Sequence, residues 1–407
     1  MDATEAVSAL CSAEGRADPH PYYAVLHRHG QAVRFAEPVA GYHAVVHGYE
    51  AVDHVLRDGS FHLMDAEYED SQSRHWRTHP ALRTLKDSIF YLNGPEHVRI
   101  RQLFNQAFTA RRVNDLRPAI IRLTRAALDR VAEAGRDGAP VDLMAEFAFP
   151  LPSNIMGELI GVPEEDRNWY RPRARAIGEI LDLDTITWRT MRAADQAATE
   201  LTEYFAGVVD KRRHEPTGDL ISGMLQNQAE WLDDPSLFAN LITVFNAGFV
   251  TTTQLFAHAV VLLLRRPAML AALRADPALI APYIEEIMRF EPPTHFVVRV
   301  ATVDSEVRGV EIPPGSRVLV LMGAANRDPV RFPQPDTFDP HRLASPQLGF
   351  GAGAHYCLGA ALTRVEGALA VPMLFDRFPD LALAGDPGTP RQLTLRGYDT
   401  LPVTVSR

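Results

Sequence analysis

Phe350-Gly351-Ala352-Gly353-Ala354-His355-Tyr356-Cys357-Leu358-Gly359, with a helical run starting at Ala360, is the stretch that decides what this chain folds into. It sets a cysteine among glycines just ahead of a helix. A helix N-terminus carries partial positive charge and free N–H groups, and both favour a thiol in its deprotonated form. Gly351, Gly353 and Gly359 allow sharp turns and a close approach to a flat cofactor with no Cβ in the way. Phe350 can cover the sulfur from water. N–H groups aimed at sulfur and a shell without water are what tune a metal held by a thiolate. The structural alternative is a glycine-rich turn around a buried cysteine, a common use of that residue. A lone Cys-x-Gly favours the alternative, whereas Phe, Gly, His, Cys and Gly at this spacing favour the thiolate.

Outward from that loop the pattern is mostly helical. Apolar periodicity predicts helices over 45–57, 95–109, 114–135, 143–160, 164–181, 187–213, 236–264, 267–275, 277–291 and 358–377. Alternating β-branched runs predict short strands at 31–35, 42–46, 296–301, 305–312 and 317–322. Residues 323–357 are rich in Gly, Pro and Asp, and a long irregular segment inside a compact domain is usually functional. The fold class is therefore mainly α with small β-sheets. No linker, repeat or low-complexity block interrupts the 407 residues. Residues 1–19 are expected as a flexible N-terminal extension and 20–407 as a single domain.

The chain has 41 Lys and Arg against 51 Asp and Glu, a net charge of −10, which argues against nucleic acid as a partner. Two cysteines make no disulfide framework and suit a reducing cytoplasm, with Cys11 read as a bystander. The acidic, broken N-terminal stretch is neither a signal peptide nor an anchor. Pro235 to Leu264 carries no Asp, Glu, Lys or Arg and is long enough to span a bilayer. Asn246, Thr251, Thr252, Thr253, Gln254 and His258 in its middle argue for a helix buried in a soluble protein instead.

The motif Phe-x-x-Gly-x-His-x-Cys-x-Gly resembles the haem-binding loop of cytochromes P450 of the soluble bacterial type, and the likeness covers roughly residues 20 to 405. It implies the triangular, mainly helical P450 body around a buried haem b, with Cys357 as the iron ligand. Phe350, Gly351 and Gly359 would frame the cofactor. Glu286-Ile287-Met288-Arg289 is similar to the family's buried Glu-x-x-Arg, and the resemblance makes Arg342, in Phe338-Asp339-Pro340-His341-Arg342, the candidate third member. An orphaned charge in such a triad is costly, so all partners are needed. His97 and Arg101, four apart on one helix face, resemble the family's pair for the haem propionates. Arg299 and His355 would complete that set of cations.

Ala247-Gly248-Phe249-Val250-Thr251-Thr252 is similar to the family's oxygen-binding stretch on its central helix. Gly248 would leave room for dioxygen beside Ala247, and Thr251 or Thr252 would supply a hydroxyl for proton delivery. Close packing and a back-bonded threonine explain the same residues equally well. Val250 stands where the family has Asp or Glu, and valine relays no proton. Substrate-assisted delivery, a water chain from the threonines, or a chemistry less dependent on that path all remain open.

By the same resemblance a substrate pocket would draw on Phe90, Leu92, Leu241, Val244 and Phe245, with Trp76 nearby. Thr294, His295, Phe296, Val297 and Tyr398 would line it from the C-terminal part. The implied reaction is hydroxylation or epoxidation of a small organic molecule, with a polyketide or macrolide natural product as the expected substrate. NAD(P)H electrons would come through a separate ferredoxin and ferredoxin reductase, docking near Cys357. Arg111, Arg112 and Arg364 are weak candidates for that contact against the alternative of solvated surface charge. The protein is expected to be a cytoplasmic monomer with no membrane or nucleic-acid partner. A haem-thiolate protein without turnover, or a P450-like auxiliary protein, is the competing class.

Overall fold

A computed structural model describes residues 1–106, 108–181, 186–226, 232–342, 346–388, 390 and 392–405. The chain divides into two compact units. One is Met1–His62 with Ile120–Phe149 and Thr251–Arg407, and the other is Leu63–Ala119 with Pro150–Val250.

Among the described residues all strands belong to the first unit. They are β1 (Ala32–Val39), β2 (Tyr42–Val46), β3 (Phe61–His62), β4 (Val141–Asp142), β5 (Val297–Ala301), β6 (Ser305–Val307), β7 (Val310–Ile312), β8 (Arg317–Val320), β9 (Ala382–Leu383) and β10 (Pro402–Thr404). The main sheet runs β1-β2-β8-β5-β3, and the smaller ones are β4-β10-β9 and β6-β7. β2 and β8 pair in parallel with Val45 opposite Leu319, while β5 and β8 are antiparallel with Arg299 opposite Val318. Ala40 and Gly41, both at positive φ (49° and 79°), form the two-residue hairpin between β1 and β2, the geometry that matches strand twist. Val318, Leu319 and Val320 are fully buried, as a continuous apolar run in the middle of a covered sheet should be. The core on this sheet gathers Val46, Val52, Val55, Phe61 and Val320, and it extends to Leu348 and Ala352 beside the cysteine loop.

The second unit is helical. Its helices Glu164–Gly178 and Trp188–His214 meet through Tyr170, Tyr204 and Phe205, and Tyr170 lies edge-on to Phe245 at 4.3 Å. The unit boundary at 250/251 falls inside one uninterrupted central helix, Asp234–Leu264. Asp233 starts it by accepting from the Ser236 N–H at 2.9 Å, the usual N-cap device. Of its most apolar 18-residue window 67% is buried.

Strand 42–46 and helix 267–275 match the sequence reading residue for residue. The predicted strand 305–312 splits at Arg308 and Gly309, both at positive φ, into the β6-β7 hairpin. The predicted helix 143–160 divides into a π turn, Met144–Ala148, and a helix that restarts at Pro150. Residues 1–19, expected as a flexible extension, carry helices Ala3–Leu10 and Ala13–Ala17. A capping box between Asp2 and Glu5 starts the first of these, and burial of Ala6, Val7 and Leu10 holds it.

Candidate functional site

The Cys357 loop lies in the first unit and is fixed at both ends by packing. Leu348 and Ala352 sit in the sheet core. Gly351 and Gly353 each have φ of 69°, a left-handed conformation that glycine adopts without strain. A Cβ at Gly353 would collide with the Leu56 carbonyl of helix Tyr49–Arg57. The Cys357 N–H donates to the Phe350 carbonyl at 2.9 Å, and the Tyr356 N–H to the Gly353 carbonyl at 3.1 Å. Gly359 caps the helix Ala360–Arg377, and a Cβ built on it meets nothing within 4 Å. Cys357 is therefore half-buried two residues ahead of a helix N-cap, with buried Phe350 folded back toward Tyr356.

Buried ion pairing holds the coil that leads to this loop. Arg289 donates through Nε and Nη2 to the two Glu286 oxygens, both at 2.7 Å. Its remaining donors reach the carbonyls of Asn326 (2.8 Å), Pro335 (2.9 Å) and Thr337 (3.1 Å). Arg342 donates to Glu286 at 3.3 Å and to the carbonyls of Pro333, Gln334 and Thr337. The structure thus brings Glu286, Arg289 and Arg342 together with Arg289 only 2% exposed. Asn326 passes the restraint onward: its carbonyl takes Arg289, and its Oδ1 accepts the Leu348 N–H at 2.7 Å. Sequence reasoning placed Asn326 in a turn and missed this role, which only a buried asparagine in that turn could have signalled.

Arg299 is buried on β5 and Arg364 is claimed by structure rather than left as solvated charge. Arg364 pairs through two nitrogens with Glu285 (2.5 and 3.1 Å), donates to the Tyr356 hydroxyl and lies 4.4 Å over Phe350. Arg111 and Arg112 are exposed in the second unit. In that unit His97 and Arg101 share the helix Gly94–Asn105. Burial, and then the charge of Arg101, push the His97 imidazole down to about 4. A histidine depressed by a neighbouring arginine in this way suits an anion placed beside the pair.

On the central helix every residue from 237 to 263 is buried except Asn246, Ala247, Gly248, Val250, Thr251 and Gln254. At 100° per residue these fall on one side of the helix. The Thr252 and Thr363 hydroxyls lie 3.4 Å apart, and Gln254 accepts from the Tyr398 N–H at 2.9 Å. A Cβ on Gly248 would meet the Met156 side chain, so close packing already accounts for that glycine.

The pocket expectations fare unevenly. Phe90 is exposed, and its turn is tied to the central helix by the Ile89 N–H on Asn240 Oδ1 at 2.8 Å; Leu92 is half-buried. Leu241 and Phe245 are fully buried, and Phe245 packs into the aromatic core with Phe249; Val244 is buried too. His295 turns its Nδ1 to the Tyr23 hydroxyl at 3.0 Å, with Nε2 3.9 Å from Glu291, so it belongs to a buried polar cluster. Phe296 is buried, Val297 packs on the sheet core, Thr294 bridges Thr394, and the Tyr398 ring stands edge-on to His258. Trp76 is buried with its indole N–H on Asp70. Residues 182–185 of the expected 168–190 pocket region lie outside the described residues.

Glu366, on the helix Ala360–Arg377, was missed as well. Both its carboxylate oxygens are buried with no hydrogen-bond partner, and burial raises its pKa well above the ordinary carboxyl value. Among the described residues no three His, Cys, Asp or Glu side chains gather as a metal-ligand set.

A cytochrome P450 family model matches residues 9–383. The biotin biosynthesis cytochrome P450 of Bacillus subtilis is 35% identical over 88% of this chain and 89% of its own length. The 6-deoxyerythronolide B hydroxylase of Saccharopolyspora erythraea is 39% identical over 76% of each. The crystal structure of P450BioI in complex with hexadec-9Z-enoic acid ligated acyl carrier protein superposes with a TM-score of 0.89 at 33% identity. It covers 97% of this chain and 100% of that one.

Proposed function

Because the chain belongs to the cytochrome P450 family, whose fold binds haem b and its iron, we propose that it is a monooxygenase placing one oxygen atom from dioxygen into a natural product such as a polyketide or macrolide, by hydroxylation or epoxidation. The observation that carries the reading is the half-buried Cys357 just ahead of a helix N-cap, on a loop tied through Asn326 to the Glu286–Arg289–Arg342 triad.

The residues fit such a group. Cys357 would supply the single protein ligand, in keeping with a site where no other side-chain ligand set gathers among the described residues and the macrocycle provides the remaining donors. The open space above Gly359 suits a flat ring passing close to the backbone. His97, Arg101, Arg299 and His355 would take the propionate carboxylates. When bound, the haem iron supplies activation of dioxygen with electrons drawn from NAD(P)H. The chain's own part is to keep the thiol ionised through the helix N-terminus and its N–H groups. The Thr251 hydroxyl would hand protons from ordered water into the site, with Thr252 and Thr363 as a second hydroxyl pair behind it. Val250 contributes only shape.

One relative is named as a 6-deoxyerythronolide B hydroxylase and another as a nocardicin C N-oxygenase, and these names support the natural-product reading. Electrons would come from a separate ferredoxin and its reductase to a monomeric, cytoplasmic protein; the mostly buried central helix favours a core helix over a membrane span. The test is the carbon monoxide difference spectrum of the reduced protein, followed by turnover with a surrogate ferredoxin pair. A Soret band of the thiolate-ligated type is expected, and Cys357→Ser should abolish it with all product formation. A histidine-type band in active wild-type protein would defeat the assignment.

A further inference from the structure

A second charged network holds the Cys357 loop, beside the Glu286 triad and only half-buried. Glu285, on helix Ile280–Phe290, accepts from two nitrogens of Arg364 on helix Ala360–Arg377, at 2.5 and 3.1 Å. It also accepts from Gln347 Nε2 at 3.2 Å, and Gln347 Oε1 takes the N–H of Gly349 at 2.5 Å, one residue before Phe350. The rest of the Arg364 guanidinium is turned on the loop itself. Its Nη1 donates to the Tyr356 hydroxyl at 3.1 Å, and its Cζ stands 4.4 Å from the centre of the Phe350 ring. Tyr356 directly precedes Cys357, and the Phe350 carbonyl takes the Cys357 N–H at 2.9 Å. A permanent cation thus rests on the two aromatic residues next to the cysteine, with one carboxylate to balance it. The Arg364 and Glu285 side chains are 37% and 42% exposed, and an ion pair so exposed adds little stability. Its placement has another consequence. Phe350 is buried, so one face of the guanidinium meets a ring instead of water, and its field on the loop is screened less.

We propose that Arg364 and Glu285 are positioning residues that set the reduction potential of the haem iron held by Cys357. The step concerned is reduction of ferric to ferrous iron by one electron from the ferredoxin-class donor; no bond is made or broken and no proton moves. The added electron makes the thiolate-bound centre more negative. The Arg364 cation favours that state and the Glu285 carboxylate opposes it, so the pair fixes how readily the site accepts its electron. Tyr356 holds the guanidinium against the loop and keeps it from turning outward. All of this rests on the haem-thiolate reading above. It also gives Arg364 an internal role in place of a docking one, since all three of its side-chain nitrogens are engaged within the chain.

The test uses the full-length, haem-loaded, substrate-free protein and reads the midpoint potential by reductive titration followed in the Soret band. Glu285→Gln keeps a hydrogen-bond acceptor and removes the balancing charge. The potential should rise by the equivalent of about tenfold in the ferrous-to-ferric ratio, ~59 mV for one electron. Arg364→Gln leaves Glu285 unbalanced and should lower the potential by a similar amount. The double variant, with no net charge beside the loop, should return to within about twofold of the wild-type ratio. Arg364→Lys, which keeps the charge, should recover most of what Arg364→Gln loses. All four should keep a thiolate-type carbon monoxide band and melt within about 2 °C of wild type. The proposal is overturned if both single substitutions shift the potential the same way, since the loop would then have loosened and admitted water. It is overturned if neither moves the ratio by more than about twofold. It also falls if Arg364→Gln leaves the potential alone and weakens ferredoxin binding, which would make Arg364 a docking cation, or if the variants shed haem, which would make the pair structural. A histidine-type carbon monoxide band in wild-type protein sinks the parent reading, whereas a thiolate-type band with unmoved potentials sinks this proposal alone.

Discussion

The coil before Cys357 and the middle of the central helix handle buried polarity in opposite ways. In the coil, every donor of Arg289 finds Glu286 or a backbone carbonyl, and Asn326 converts that ion pairing into a hydrogen bond on the loop. In the helix, the Asn246 Oδ1 is buried with no hydrogen-bond partner, and Val250 is among the residues that are not buried. A saturated network fixes one geometry. The coil therefore holds the Cys357 loop in one geometry.

The most damaging change on the saturated side is Arg289→Ala. It takes from Glu286 its two-nitrogen partner and from the Asn326 and Pro335 carbonyls their arginine donor, so a loss on the order of 3–5 kcal/mol is expected, seen as an earlier urea transition together with loss of haem from the purified protein. Arg289→Lys should not rescue it, because an ammonium cannot match the two-nitrogen pairing with Glu286. On the stripe, Thr251→Ala should leave the fold and the Soret band intact. It should lower product formed per NAD(P)H by about tenfold or more, with the missing electrons recovered as peroxide or water. Val250→Glu on the same face should raise that coupling if proton supply limits it, and an unchanged ratio would assign delivery to water and Thr251 alone.

A pH titration probes the contrast further through two buried histidines. Burial holds the His47 imidazole down to about 3 and that of His258 to about 4. The unfolded chain takes up their protons near 6.5, so between these values it binds more protons than the folded state. Stability is then fully present above about pH 6.5 and falls as the pH drops toward 3 to 4. His47→Phe should remove a few kcal/mol of that acid sensitivity, measured as the slope of the melting temperature between pH 6.5 and 4. Glu366 works with the opposite sign. Its folded-state pKa is raised, so its stability contribution is complete below the ordinary carboxyl value and declines as pH rises. Glu366→Gln should change stability by less than about 1 kcal/mol at pH 5 and should gain on wild type as the solution becomes alkaline.

Much of the molecule was readable from the chain because it depends on neighbours in sequence. The charge-free run 235–264 announced the central helix, and the β-branched run 317–320 announced a buried strand. The glycines around Cys357 announced turns that the φ values of Gly351 and Gly353 show. The pocket was less legible. Leu241 and Phe245 are fully buried and His295 is bound to Tyr23, and apolar residues and a lone histidine have no local signature for which side faces a ligand. The N-terminal helices escaped notice because their turns are short and are stabilised by what they pack against.

Helical character, a cysteine at a helix start and the Glu286–Arg289 spacing are properties of the chain's own order, since each is set by periodicity within one element. Three other features came from the folded arrangement: Asn326 joins the triad to the loop, Met156 fills the space beside Gly248, and the Asn246 carbonyl stays unanswered. Those outcomes depend on which distant segments come within hydrogen-bond or van der Waals reach. Such approaches are fixed by packing of the whole chain, and no local pattern encodes them.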